Sequence, residues 1–300
     1  MTALERCSVR SSRAAEPMIG TAFREAGVLL VEQPGAWGHA GLAESDFDPT
    51  VAEELSQRAR SAGLRLFAIR RPGRAESGGR RRWAVISSRP GSQQARWGTY
   101  DADVDLLGVP LDGSAGEPER RPSFLVCAHG KRDLCCALEG REFAAELSAL
   151  RPGQVWECSH TGGHRFAANV LVMPAGLLYG RVPLGAAVEF VAAVEAGRLL
   201  PGLLRGRIGN QPAEQAALRF AHLELGLELA DEVLVQEAVP ASDGAPQIVW
   251  VRGGDEVLQL RVATEQVPAS GFSCRDNAPD QYAVFDISVL NRNNRAPKVQ

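Results

Sequence analysis

The pattern of apolar positions in the first third of the chain predicts alternating strands and a helix. Short apolar runs that are typical of strands lie at Gly27–Glu32, Leu64–Ile69, Arg80–Ser87 and Ala95–Leu107. Asp48 and Pro49 begin a helix that runs to about Ser61, because an aspartate cap followed by proline is a common helix start. The first strand, this helix and the second strand favour a parallel pair. We therefore expect an N-terminal α/β region over residues 1–116.

Residues 117–203 repeat this alternation in a different order. The predicted elements are strands at Ser123–Cys127, Gln154–Cys158, Asn169–Met173 and Leu177–Gly180, and helices at Leu134–Leu150 and Gly185–Leu200. Asp133 is placed to cap the first of these helices. The order β-α-β-β-β-α is typical of a thioredoxin-like α/β sandwich.

Residues 204–300 predict a helix followed by an antiparallel sheet. The helix covers Asn210–Leu225, with Asn210 as its cap. Strands are predicted at Glu232–Val239, Gln247–Arg252 and Val257–Val262, separated by glycine-containing turns. The predicted fold class is α/β: a central thioredoxin-like domain flanked by an N-terminal α/β region and a C-terminal α+β region.

The composition narrows the function classes. Of the 300 residues 45% are hydrophobic, and the net charge is -3, which gives no reason to expect nucleic acid or an anionic membrane as a partner. We find neither a long apolar stretch for a membrane helix nor a secretory signal. We therefore expect a cytoplasmic protein, in which structural disulfides are rare. The cysteines are then better interpreted as ligands, redox thiols or buried packing residues.

Cysteine and histidine crowd into one short stretch of the middle region. It holds four of the six cysteines and three of the five histidines: Cys127, His129, Cys135, Cys136, Cys158, His160 and His164. This crowding is the main functional signal in the sequence.

Four of these residues make a closed ligand set. Cys127 ends a predicted strand, and Cys136 lies in the first turn of the next helix, where the helix dipole favours a thiolate. His160 and His164 flank a Gly-Gly pair that lets one loop direct both rings at one centre. Two thiolates and two imidazoles suit either Zn²⁺ or a [2Fe–2S] cluster, and the spacing alone does not choose.

Two segments, 127–136 (CAHGKRDLCC) and 156–166 (WECSHTGGHRF), closely resemble the sucrase/ferredoxin-like family. The similarity extends to 171–181 (LVMPAGLLYGR) and 31–38 (VEQPGAWG). It implies a thioredoxin-like ferredoxin domain whose [2Fe–2S] cluster is bound by two cysteines and two histidines, here Cys127, Cys136, His160 and His164.

The remaining cysteines are assigned more modest roles. Cys135 is an alternative to Cys136, which we prefer because of the resemblance and the C-x₈-C spacing. Cys135 and Cys158 are interpreted as small packing residues, and Cys7 and Cys274 as unligated.

The predicted function is one-electron transfer between donor and acceptor proteins that the sequence does not identify, by an electron carrier rather than an enzyme. Two thiolates and two neutral imidazoles leave the oxidised site formally neutral, so its potential should exceed that of plant-type ferredoxins. The imidazoles could couple a proton to the electron. Two alternatives stay open: a structural zinc-binding module, and a thioredoxin-like thiol redox protein in which Cys127 and Cys136 pair.

Overall fold

The computed structural model describes residues 5–73, 79–240, 245–275 and 278–293. The α-helices in these ranges are α1 (Cys7–Arg13), α2 (Pro49–Ser61), α3 (Arg141–Leu150), α4 (Ala187–Glu195) and α5 (Pro212–Leu225). The strands are β1 (Gly27–Glu32), β2 (Leu64–Arg70), β3 (Arg81–Ser87), β4 (Gln94–Tyr100), β5 (Glu117–Glu119), β6 (Ser123–Cys127), β7 (Val155–Cys158), β8 (Val170–Met173), β9 (Leu177–Tyr179), β10 (Leu204–Arg207), β11 (Val233–Val239), β12 (Gln247–Gly253), β13 (Glu256–Ser270) and β14 (Pro279–Asn293).

One large mixed sheet organises most of the chain. Its ten strands run in the order β10-β9-β8-β6-β7-β2-β1-β3-β4-β5. Strands β1 and β2 are parallel, as the strand–helix–strand pattern predicts, and so are β6 and β7. A short antiparallel contact between β2 and β7 joins the two halves through the pairs Ile69–Cys158 and Arg70–Glu157. The α/β class is therefore confirmed.

Alternation along β6 sorts its side chains between two cores. Phe124 and Val126 face a core shared with α3 and α4. Leu125 and Cys127 face the opposite core, which also contains Cys136. Because successive strand residues point to opposite faces, the strand end delivers the Cys127 thiol to a buried apolar layer.

The second sheet is antiparallel, in the order β11-β12-β13-β14, and α5 packs against it. The sequence predicts its first three strands but misses β14 and the outer half of β13. These two strands are 15 residues each and pair from Val257–Asn293 to Ser270–Pro279. Much of this ribbon is exposed, so it lacks the apolar alternation that identifies a half-buried strand.

Three predicted boundaries are wrong. The strand predicted to reach Leu107 ends at Tyr100, because the Asp105 carboxylate accepts the N–H groups of Asp101 and Ala102 and starts a 3-10 turn. Helix α4 covers only Ala187–Glu195 of the predicted Gly185–Leu200, since Gly197 turns the chain at φ +69°.

The third wrong boundary is the cap of α5. Gln211 caps it rather than Asn210, and its N–H donates to the Glu214 carboxylate.

The division into regions 1–116, 117–203 and 204–300 stays a prediction. The first two regions share the large sheet, and β10, from the third, pairs with β9 at its edge. In the described ranges, no helix combines the length and apolar character needed to cross a bilayer.

Candidate metal centre

The two predicted thiol ligands lie at a strand–helix junction. Cys127 ends β6, and a helix begins at Leu134, with a π-helical segment at Cys136–Gly140 before α3. The predicted helix is thus confirmed, but its first turns are wider than an α-helix. This segment packs closely on β6: a Cβ added at Gly140 would overlap the carbonyl oxygen of Cys127.

Three of the four predicted ligands converge. One ligand atom from each of Cys127, Cys136 and His160 lies within 4.8 Å of the others. The Cys127 and Cys136 side chains are fully buried. A hydrogen bond from Cys136 lowers the pKa of the Cys127 thiol, with further help from His160 and the N–H of Thr161 and against the effect of burial. The same bond and burial raise the pKa of Cys136. The contact between the two thiols therefore shifts their pKa values in opposite directions.

The His160 ring has an open donor position. Its Nδ1 is buried and lacks a hydrogen-bond partner among the described residues. The His160 backbone N–H donates to Nδ1 of His129, and Nε2 of His129 in turn donates to the carbonyl of Gly38. These bonds fix the start of the loop, so His129 supports the site rather than facing solvent. A buried imidazole with an unpartnered ring nitrogen and two buried thiols supply three of the four donors that a zinc ion or a [2Fe–2S] cluster needs.

His164 lies beside this group but is engaged elsewhere. Its ring centroid is 5.4 Å from that of His160. Its Nδ1 lies 3.1 Å from Oδ2 of Asp133 and 3.6 Å from Sγ of Cys7. With Nδ1 bonded to a carboxylate, the other ring nitrogen is left for a metal, which is the usual arrangement of a ligating histidine.

The Gly-Gly turn between the histidines adopts the predicted tight conformation. Gly162 and Gly163 have φ values of +86° and +63°. The buried guanidinium of Arg205 holds this loop by donating to the carbonyl of Gly162 and to Oδ1 of Asn169. A Cβ at Gly163 would lie 2.5 Å from Nη2 of Arg205, so the close approach requires glycine there.

A second group of donors lies next to the first and was not predicted. Cys7, Cys135, Cys274 and Asp133 each place one ligand atom within 4.8 Å of the others. The sequence predicts Cys135 as a packing residue or as an alternative to Cys136, and Cys7 and Cys274 as unligated. No local signal could have found the group, because 267 residues separate Cys7 from Cys274.

The adjacent Cys135 and Cys136 enter different groups. Consecutive residues of a helix point about 100° apart. Cys136 therefore faces Cys127, while Cys135 faces Cys7 and Cys274. A hydrogen bond from Cys7 lowers the pKa of Cys135 to about 5, and the same bond with burial raises the pKa of Cys7.

The large mixed sheet and the buried thiol–imidazole group define an α/β protein with a candidate metal centre. The sequence model of the sucrase/ferredoxin-like family matches residues 18–206, and the chain belongs to that family.

A yeast protein shows a more local similarity. Altered inheritance of mitochondria protein 32 of Meyerozyma guilliermondii is 38% identical over 71 residues, covering 19% of this chain and 24% of that protein. The match thus spans about a quarter of the length of this curated relative. Among solved structures, none matches the chain.

Proposed function

We propose that Cys127, Cys136, His160 and His164 hold a [2Fe–2S] cluster and that the protein transfers single electrons. One observation carries this proposal: two fully buried thiols meet an imidazole whose Nδ1 has no partner among the described residues. Membership of a family described as ferredoxin-like adds to it. When bound, such a cluster supplies one-electron redox chemistry.

The local fold supports a thioredoxin-like ferredoxin domain. The elements β6, α3, β7, β8, β9 and α4 follow the predicted β-α-β-β-β-α order, with β6 and β7 parallel and β8 and β9 antiparallel. Because β6 and β7 are parallel, both end at the same edge of the sheet, and the loop that carries His160 and His164 follows β7 there.

The surrounding residues suit a site that accepts an electron. Arg205 is fully buried and binds the Gly162 carbonyl between the two histidines. A buried positive charge there stabilises the reduced state and raises the reduction potential. Coupling of the electron to a proton on a histidine stays a prediction, as do the cytoplasmic location and the identity of the donor and acceptor proteins.

Thiol redox chemistry is the second candidate. The contact between Cys127 and Cys136 supports it, because it lowers the pKa of the Cys127 thiol and a lowered thiol pKa favours attack on a disulfide. This chemistry would need both sulfurs free of metal, so metal content separates the two functions.

The test is the iron content of protein purified without oxygen. We expect about two irons per chain with matching sulfide, a visible absorption spectrum, and nitrogen couplings from histidine in the pulsed EPR spectrum of the reduced protein. Cys127→Ala and Cys136→Ala should each lose the iron, whereas Cys158→Ala, at a buried thiol outside both donor groups, should keep it.

Colourless, iron-free protein with reactive Cys127 would favour the thiol function. Zinc that is lost on Cys127→Ala would favour a structural zinc module at this site. Loss of iron with Cys135→Ala but not Cys136→Ala would show that the wrong member of the pair was chosen.

A further inference from the structure

We propose that Cys7, Cys135, Cys274 and Asp133 form a second metal site, which binds one Zn²⁺ ion through three sulfurs and one carboxylate oxygen. This site is distinct from the [2Fe–2S] ligands, and two of its cysteines lie outside the residues 18–206 that match the family.

The distances between donor atoms fit one tetrahedral ion. The Sγ atoms are 3.5 Å apart for Cys7 and Cys135, 3.3 Å for Cys135 and Cys274, and 3.6 Å for Cys274 and Cys7. Oδ1 of Asp133 is 3.6 Å from Sγ of Cys7. Zinc–sulfur bonds of about 2.3 Å place tetrahedral sulfurs about 3.8 Å apart. The sulfurs would therefore move outward by only a few tenths of an ångström.

The same distances argue against the other uses of three thiols. Three sulfurs that all lie within 3.6 Å of one another match the spacing of ligands around a single ion. A disulfide needs a sulfur–sulfur bond of about 2.05 Å and would leave the third thiol and the carboxylate without a function. Soft thiolates in a tetrahedral set favour zinc among common divalent ions.

Burial and charge are also compatible with zinc. Cys7, Cys135 and Asp133 are completely buried, while Cys274 is partly exposed and gives the ion a route in. Three thiolates and one carboxylate leave the loaded site at -2, the same as a four-cysteine zinc site. The Cys7 N–H donates to Sγ of Cys274 at 3.3 Å, which offsets part of this charge.

Hydrogen bonds hold the Asp133 carboxylate in place. Its Oδ1 accepts the N–H of Cys135 and its Oδ2 accepts the N–H of Cys274, both at 3.0 Å. Oδ2 also lies 3.1 Å from Nδ1 of His164. The carboxylate therefore joins the zinc site to a proposed ligand of the cluster.

The site would tie together three segments that are distant in sequence. Cys7 begins α1, Cys135 lies at the start of the helix that leads into α3, and Cys274 lies between β13 and β14. Metal binding displaces the thiol protons and converts these contacts into metal–sulfur bonds. Zinc would thus fasten the N-terminus and the second sheet to the helix that carries Cys136.

The experiment counts zinc and iron separately in anaerobically purified full-length protein. We expect about one zinc per chain in addition to iron. X-ray absorption at the zinc edge should show three sulfurs at about 2.3 Å and one oxygen at about 2.0–2.2 Å. Cys7→Ala, Cys274→Ala and Asp133→Asn should each weaken the affinity for Zn²⁺ at least about tenfold, because the first two remove a sulfur ligand and the third removes the negative charge of the carboxylate. Cys158→Ala should keep it.

Several results would overturn the site. One is wild-type protein that contains no zinc and, after chelation, takes up none when titrated with Zn²⁺ alone. Another is a disulfide among these cysteines, seen as the loss of two hydrogens in the mass of the native protein.

The two proposals fail separately. Zinc that survives Cys7→Ala and Cys274→Ala but leaves with Cys127→Ala would overturn both. Iron-free protein that still loses zinc with Cys7→Ala would overturn only the cluster. The zinc-edge spectrum of the wild type decides the coordination even if a variant does not fold.

Discussion

Gly140→Ala should destabilise the protein and loosen the Cys127–Cys136 junction. Gly140 has ordinary right-handed helical angles, φ -68° and ψ -43°. Helix propensity alone therefore predicts that alanine would stabilise the helix by about 1 kcal/mol. The packing predicts the opposite sign, because the new Cβ would overlap the carbonyl oxygen of Cys127 and lie 3.1 Å from its carbonyl carbon.

We expect the steric overlap to outweigh the gain in helix propensity. The contact is with backbone, so no change of rotamer relieves it, and β6 or the π-helical segment must shift. Overpacking costs about 1–3 kcal/mol, and so close a contact with backbone places the cost in the upper part of that range, above the gain in propensity. A net decrease of about 1–2 kcal/mol in the free energy of unfolding lowers the Tm by roughly 2–8 °C for a domain of this size. The same shift moves Cys127 away from Cys136 and should reduce the iron content.

Thermal unfolding followed by circular dichroism, together with iron analysis, measures both effects. Gly202→Ala is the matched control, because a Cβ there meets no atom within 4 Å. It should change stability by no more than about 0.5 kcal/mol. A Gly140→Ala protein with an unchanged or higher Tm and full iron would refute the close approach of this helix to β6.

Two further predictions concern buried polar groups. Arg205→Met should lower the free energy of unfolding by at least about 3 kcal/mol and reduce iron occupancy, because it removes charged hydrogen bonds to Gly162 and Asn169. Chemical unfolding and iron analysis measure these two effects. A variant with wild-type values for both would contradict the prediction. Burial raises the pKa of Tyr100, whose hydroxyl donates a hydrogen bond to the carbonyl of Glu32. The tyrosine therefore contributes its full stabilisation below about pH 10, the pKa of tyrosine in the unfolded chain, and loses it as the pH rises further. Tm measured from about pH 8 to 11 should therefore fall less steeply in Tyr100→Phe, and equal alkaline slopes would count against this reasoning.

Features that depend on near neighbours in the chain were predictable from the sequence. The start of α2 was predictable because the Asp48 carboxylate accepts the N–H groups of Thr50 and Val51. The parallel pairing of β1 with β2 followed from their apolar runs and the helix between them. Both glycines between His160 and His164 take the left-handed φ that such a tight turn needs. Each of these features depends on residues that are close in the chain, so the amino-acid sequence alone is enough to predict it.

Which donor atoms meet depends on the packing of distant segments, which the sequence does not reveal. Consecutive helical positions direct Cys136 to Cys127 and the adjacent Cys135 away from it, at the start of a π-helical segment that the sequence does not signal. Cys7 and Cys274 come together because the first helix and the connection between β13 and β14 pack on the same junction. Such contacts join residues up to 267 positions apart, and burial of the whole core, rather than any local propensity, brings them together.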